Sequence, residues 1–393
     1  MVRRNPRIVY VITEDWVFWS HRLSLARAAR DAGFEVVVAT RVHNHKELIE
    51  QEGFRLIPVR LARGSTSIVS EFLTVLELIN IYRQERPDIV HQVAIKPVLY
   101  GTWAAKIVGV PIVVNLLTGL TEKFHARRWK SLILGKLVDL GYRLAFWRMN
   151  QVTIFQNVTD MKKFLESGIV KKSNVELIRG SGVDTSRFVD SPEPDAAPVV
   201  VLASRMLWEK GVGEFVEAAK QLRTEGIKCR MVLVGGTDSE SPGSVPEATL
   251  KSWQTEGIVE WWGHRDDMPD VYAQAHIVCL PSYHEGAPKV LLEAASCGRA
   301  IVTTNVSGCK EIVRHNENGL LVPLKDPAAL ASALKVLIQN SDLRKQMGKR
   351  GREIVLEEFS DEIVVGQTMA LYQRLLSCLS GTSAKWDKEW EKP

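Results

Sequence analysis

The chain has few of the features that would point to disulfide or metal chemistry. Its 393 residues include five cysteines, Cys229, Cys279, Cys297, Cys309 and Cys378. None precedes Cys229 and no two form a Cys-x-x-Cys pair. This argues against a disulfide framework or a zinc site, and a reducing cytosol is the simple expectation. No apolar run approaches the ~18–20 residues of a spanning helix. The basic start is followed by an apolar run of only Ile8–Ile12, closed by Thr13-Glu14-Asp15. That run is too short for a signal peptide and reads as a first strand. The Gly-x-Gly-x-x-Gly dinucleotide fingerprint is missing, and no fixed-period repeat suggests a solenoid. A general basic excess is missing too. Net charge is +5. Residues 121–150 account for all of it, with Lys123, Arg127, Arg128, Lys130, Lys136, Arg143 and Arg148 against Glu122 and Asp139. A local excess argues for one contact surface and against a nucleic-acid binder.

An apolar content of 45% permits filled cores, and the length suits two or three domains of ~100–200 residues. Strand-like runs at Arg7–Thr13, Glu35–Thr40, Ile89–His91, Pro111–Asn115 and Gln151–Phe155 alternate with helical patterns such as His21–Ala32 and Ile68–Gln84. The alternation predicts a parallel sheet with helices on both faces. Residues 189–198 hold three prolines and read as a linker. The alternation then restarts, with strands expected at Val199–Ala203, Arg230–Val234, Val259–Trp262, Ile277–Leu280, Ala300–Thr303 and Gly319–Val322. Helices are expected at Gly211–Thr224, Leu250–Glu256, Pro288–Cys297 and Pro327–Gln339. The expected organisation is therefore α/β, two doubly wound Rossmann-like domains facing across a cleft. They span 1–188 and 199–360, and a helix over 361–377 completes the first. The polar tail 381–393, with Trp386 and Trp390, is expected to be disordered.

Open α/β sheets bind ligands beyond the carboxyl ends of their strands, and that is where the polar residues gather. Glu285 and Glu293 flank Gly286-Ala287-Pro288-Lys289 after the strand Ile277–Leu280. Pro288 suits a helix start, and the N–H groups of Lys289 and Val290 would lack partners inside the helix, forming an anion site. Two carboxylates around such a site suggest a ligand that is part phosphate and part polyol, such as a nucleotide sugar. Arg205 and Lys210 follow the first strand of the second domain, where two cations can neutralise a diphosphate leaving group. Two solvated surface cations are the plainer reading. Gly235-Gly236 and Gly263-His264 follow two further strands; a tight turn and an exposed loop histidine are the plain readings there. In the first half, Trp16–Arg22 links the first strand to the first helix, with Ser20 or His21 as its cap. His91, Lys96, Thr118 and Gly119 also follow strands and are candidate acceptor contacts. Trp129, Ile133, Leu137, Leu140, Leu144 and Trp147 keep helical spacing, and this stripe is expected to pack on the domain's own sheet. The Arg127–Lys130 end would remain free to touch an anionic membrane.

Taken together, these residues resemble the family-4 retaining glycosyltransferases of GT-B fold. The resemblance rests on Ser204-Arg205 with Lys210-Gly211, Val234-Gly235-Gly236, Gly263-His264, Leu280-Pro281-Ser282, the Glu285/Glu293 pair and Gly298–Thr303. Phe18–Arg22, Lys96-Pro97 with Tyr100-Gly101, and Thr118-Gly119-Leu120 resemble the subgroup that acts on lipid-linked saccharides of surface polysaccharides. The resemblance implies that Arg205 and Lys210 hold the donor diphosphate. It implies Glu293 on the ribose, Glu285 on the transferred sugar, and Gly286–Lys289, Gly236, Gly263, His264 and Ser20 around the donor. The bulky Asp15–Ser20 stands where many members carry a glycine pair, and His276 where an aspartate is common. No cofactor or metal is expected. The expected partners are a nucleotide sugar, UDP foremost, and a polyprenyl-diphosphate acceptor at the inner membrane face, reached through the basic segment Arg127–Arg148. A nucleotide-sugar epimerase of the same fold and a non-catalytic nucleotide-sugar-binding protein are the alternative readings.

Overall fold

A computed structural model describes residues 5–61, 68–117, 140–147 and 150–379. Thr118, Gly119, most of the basic segment and the tail with Trp386 and Trp390 lie outside them. The chain divides into two units, one of residues 1–179 with 364–393, the other Gly180–Ile363.

The first unit is built on a parallel sheet of β1 (Arg7–Glu14), β2 (Glu35–Arg41), β3 (Arg55–Pro58), β4 (Ile89–Val93), β5 (Ile112–Leu117), β6 (Gln151–Phe155) and β7 (Val175–Leu177). Their order is β3-β2-β1-β4-β5-β6-β7. β4, β5 and β6 are buried along their whole length and β1 nearly so, as parallel strands covered on both faces must be. The C-terminal helix Asp361–Leu379 closes one face of this sheet, where Val364, Leu371, Tyr372 and Leu375 share a core with Ile8, Tyr10, Ile12 and Ile89.

The second unit carries β8 (Val199–Ala203), β9 (Arg230–Val234), β10 (Glu260–Trp261), β11 (Ile277–Leu280), β12 (Ala300–Thr304) and β13 (Gly319–Val322). They form a parallel sheet ordered β10-β9-β8-β11-β12-β13. Both units are thus doubly wound α/β, as the sequence predicts. A helix not expected from sequence runs over Ser341–Ile354. Its interior Gly348 reads as a breaker, yet a Cβ there would lie 2.0 Å from the Gly298 carbonyl oxygen.

The units part at 179/180, ahead of the proline-rich stretch, because residues 189–198 pack on the second unit. Arg344 grips Glu193 through two bonds of 2.8 Å each. Arg299 Nη2 donates to the Ser191 carbonyl at 2.9 Å. His276 accepts the Val199 N–H at 3.1 Å and donates from Nε2 to the Pro194 carbonyl at 3.0 Å. The imidazole therefore pins this segment, and burial lowers its pKa.

Two expectations for the first unit are corrected. Asp15–His21 is itself a short helix, so neither Ser20 nor His21 caps a helix from a loop. The described part of the apolar stripe faces outward: Leu140, Leu144 and Trp147 are 51%, 44% and 59% exposed, while Tyr142, Ala145 and Phe146 are buried.

Candidate functional site

Strand order in the second sheet reverses between β8 and β11, and ligands of open α/β sheets bind at such a switch point. The chain leaving β8 makes a short 3-10 turn over Trp208–Lys210. The chain leaving β11 runs through Pro281 to Glu285. The two meet: Lys210 Nζ lies 2.6 Å from Glu285 Oε1, with side chains only 20% and 12% exposed. The carboxylate arm is fixed from below. Tyr283 N–H donates to the Glu209 carbonyl at 2.9 Å, and the Tyr283 hydroxyl to Glu214 at 2.7 Å. The Thr304 hydroxyl donates to the Ser282 carbonyl. Lys210 and Glu285 thus form a pre-organised ion pair whose exposed edge can meet an anion on one side and a hydroxyl on the other. Cys309 lies within electrostatic reach of both. Burial pushes its thiol up to about 12, so it stays neutral and is no nucleophile.

Arg205, expected beside Lys210, instead pairs with Asp238 beyond β9, with Nη1 2.5 Å from Oδ2. It is the more exposed of the two cations, 41% against 20%. The turn after β9 depends on Gly235. Its φ is +142°, and a Cβ would stand 1.7 Å from the Ser204 carbonyl oxygen. Gly235 N–H donates to the Gly263 carbonyl at 2.7 Å, which joins the ends of β9 and β10. The ring of Trp261 donates to the Gly235 carbonyl at 2.9 Å. Gly236 is spent on the frame, its carbonyl accepting the Met206 N–H at 2.9 Å. The exposed His264 pairs with Asp266 at 3.1 Å.

The helix after β11 spans Lys289–Ser296, with Pro288 at its N-cap and no side chain capping it. The preceding Gly286 and Ala287 complete the arm from Glu285. One turn in, Glu293 Oε2 accepts the Tyr272 hydroxyl at 3.0 Å. Burial raises the Glu293 pKa, against the opposing pull of Lys289, the Tyr272 bond and Arg187. Tyr272, fully buried on the helix Met268–Gln274, was not foreseeable: a tyrosine in an apolar helical stretch reads as core.

The first-unit candidates fare differently. Ser20 bonds back to the Trp16 carbonyl and to His21 Nδ1, each at 2.6 Å. His91 is 1% exposed, with Nδ1 bonded to the Tyr372 hydroxyl. Burial and Arg22 hold it well below the usual histidine range. It is a neutral packing histidine and is withdrawn as an acceptor contact. Lys96 forms a 2.6 Å ion pair with Glu71. A pair missed from sequence, Glu14 and His43, stands at the ends of β1 and β2, with His43 Nε2 2.7 Å from Glu14 Oε2.

Two family profiles match the chain. That described as "Glycosyl transferase 4-like" covers residues 7–156, and "Glycosyl transferases group 1" covers residues 197–340. A Campylobacter jejuni protein named N,N'-diacetylbacillosaminyl-diphospho-undecaprenol alpha-1,3-N-acetylgalactosaminyltransferase is 27% identical over 90% of this chain and 95% of its own. The Staphylococcus aureus capsular polysaccharide biosynthesis glycosyltransferase CapM is 23% identical over 95% and 98%. Among solved structures, Anabaena Alr3699/HepE in complex with UDP and glucose superposes with a TM-score of 0.75 at 19% identity. That match covers 93% of this chain and 99% of the other, a likeness of fold.

Proposed function

The chain belongs to the glycosyltransferases, with a 4-like first half and a group 1 second half, and from that premise we propose its substrates. It moves a hexose or N-acetylhexosamine from a UDP-sugar to a saccharide carried on a polyprenyl diphosphate. The observation that carries this reading is the Lys210–Glu285 pair at the switch point of the second sheet. Lys210, with Arg205 released from Asp238, takes the donor diphosphate. Glu293 accepts the ribose hydroxyls and Glu285 faces the transferred sugar. The acceptor oxygen bonds to the anomeric carbon as the bond to the diphosphate breaks. The diphosphate leaves with that electron pair and takes the acceptor's proton, so attack and departure share one face and the configuration is retained. The acceptor class is supported by the name of the Campylobacter relative.

Peripheral membrane contact through the segment Arg127–Arg148 belongs to the same proposal. Its described part turns Leu140, Leu144 and Trp147 outward, and Ile107 nearby in sequence to Lys106 is also exposed. Lys106 Nζ stands 5.6 Å from the Trp147 ring, a pairing of cation and indole suited to an anionic interface. No helix among the described residues is long and apolar enough to cross a membrane.

The test is incubation of UDP-hexoses and UDP-N-acetylhexosamines with a polyprenyl diphosphate bearing N-acetylglucosamine, with and without EDTA. Transfer that persists in EDTA is expected. Abolition by EDTA would overturn metal independence. An epimerised donor formed without acceptor would favour the epimerase, and donor binding without turnover the non-catalytic reading.

Tyr272→Phe tests the ribose contact. The hydroxyl donates to Glu293 and so favours its ionised form. Its loss should raise the Glu293 pKa further. Donor KM is expected to rise about tenfold, as for one hydrogen bond to a charged group, and the acid limb of donor binding to move to higher pH. An unchanged limb would remove Tyr272 from this role.

A further inference from the structure

The first unit holds a carboxylate–imidazole pair that the donor chemistry does not use. Glu14 closes β1 and is fully buried, while His43 follows β2 and stays about a third exposed. Glu14 Oε2 lies 2.7 Å from His43 Nε2. Asp15, equally buried, accepts the backbone N–H of His43 at 2.6 Å, of His45 at 3.0 Å and of Trp16 at 2.7 Å. Two buried carboxylates thus fix both the ring and the backbone of one partly exposed histidine. Because a carboxylate accepts, Nε2 carries the proton, and Nδ1 keeps a lone pair in the neutral ring. Nδ1 makes no hydrogen bond with the described residues.

Arg41 Nη1 stands 3.8 Å from Glu14 Oε1 and offsets the carboxylate from the β2 side. Asp15 is engaged by three backbone N–H groups and lies 3.7 Å from His45 Nδ1. The Trp19 ring, from the short helix, lies 6.0 Å from the His45 ring. The ensemble stands at the carboxyl ends of β1 and β2, the edge on which an open parallel sheet binds ligands. An oriented hydrogen-bond acceptor at that edge, with a half-buried indole packed on His45 two residues further on, suits a neutral, hydroxyl-rich ring.

We propose that His43, positioned by Glu14, is a binding residue for the acceptor saccharide, its Nδ1 accepting a sugar hydroxyl near Trp19. This rests on the transferase reading above. His43 is no base in the reaction, since the proton leaves with the donor diphosphate.

His43→Gln separates this role from a purely structural tie. The glutamine amide reaches the position of Nε2 and can still donate to Glu14, but nothing replaces Nδ1. With a polyprenyl diphosphate bearing N-acetylglucosamine as acceptor, acceptor KM is expected to rise at least tenfold. Donor KM, slow hydrolysis of the UDP-sugar and Tm should be unchanged. An unchanged acceptor KM would overturn the proposal. If the variant is destabilised, the wild type decides by NMR: acceptor saccharide should shift the His43 Nδ1 resonance, and no shift overturns the assignment. Wild-type protein that hydrolyses donor but never transfers would instead sink the transferase reading, before any variant is made.

Discussion

Lys210→Ala is expected to lower kcat by about 10²–10³-fold, the usual loss when one pre-organised stabiliser of a developing anion is removed. Lys210 is the half-buried cation at the switch point, 2.6 Å from Glu285. Glu285→Gln should cost a comparable factor, since it abolishes the charge that holds Lys210 and faces the sugar. The two act as a unit, so the double variant should be little worse than either single one. Donor KM should change less than kcat if the pair acts mainly on the charge formed as the diphosphate departs. Steady-state kinetics with a fixed acceptor, alongside Tm for each variant, measures this. Rates within a few-fold of wild type would refute the assignment, and multiplicative losses would show two independent roles.

The second large effect is structural. Gly235→Ala puts a methyl group where the Ser204 carbonyl oxygen stands 1.7 Å away, at a φ of +142°. Neither can yield cheaply. Gly235 N–H is committed to Gly263 and its carbonyl to Trp261, and Ser204 N–H to the Val234 carbonyl at 2.9 Å. A backbone clash of this kind belongs with the exceptional losses of more than about 4 kcal/mol. At ~2–4 °C per kcal/mol for a domain of this size, Tm should fall by roughly 10 °C. Donor affinity should fall with it, because the ends of β8, β9 and β10 are joined here. A Tm within a degree of wild type would show that the turn is not tight.

Much of the second unit was legible because its strands are short apolar runs that stop at glycine or proline, as at Val234-Gly235 and Leu280-Pro281. The Glu285 arm was legible for the same reason, with Pro288 and Gly298 bracketing the helix between them. What sequence could not supply was contact over distance. His91 looks like a polar residue leaving a strand, but its partner Tyr372 lies 281 residues away on the C-terminal helix. Tyr272 and Glu293, 21 apart on different helices, meet only in the folded chain. Asp15–His21 resembles a loop because bulky aromatics follow the strand, yet its first turn is fixed by Asp15, whose carboxylate also collects N–H groups from beyond β2. β3 and β7 are short and half-exposed, so their pattern carries too few apolar positions to register.

In the proposed reaction the second unit delivers a sugar with retention from a UDP-sugar to a lipid-linked acceptor through Lys210 and Glu285. The direct measurement is the anomeric configuration of the product by ¹H NMR, with UDP release followed in the same reaction. An α-linked product from an α-configured donor is expected, with one UDP per linkage and both signals slowed by about 10²–10³-fold in Lys210→Ala. A β-linked product, or full transfer by Lys210→Ala, would contradict it.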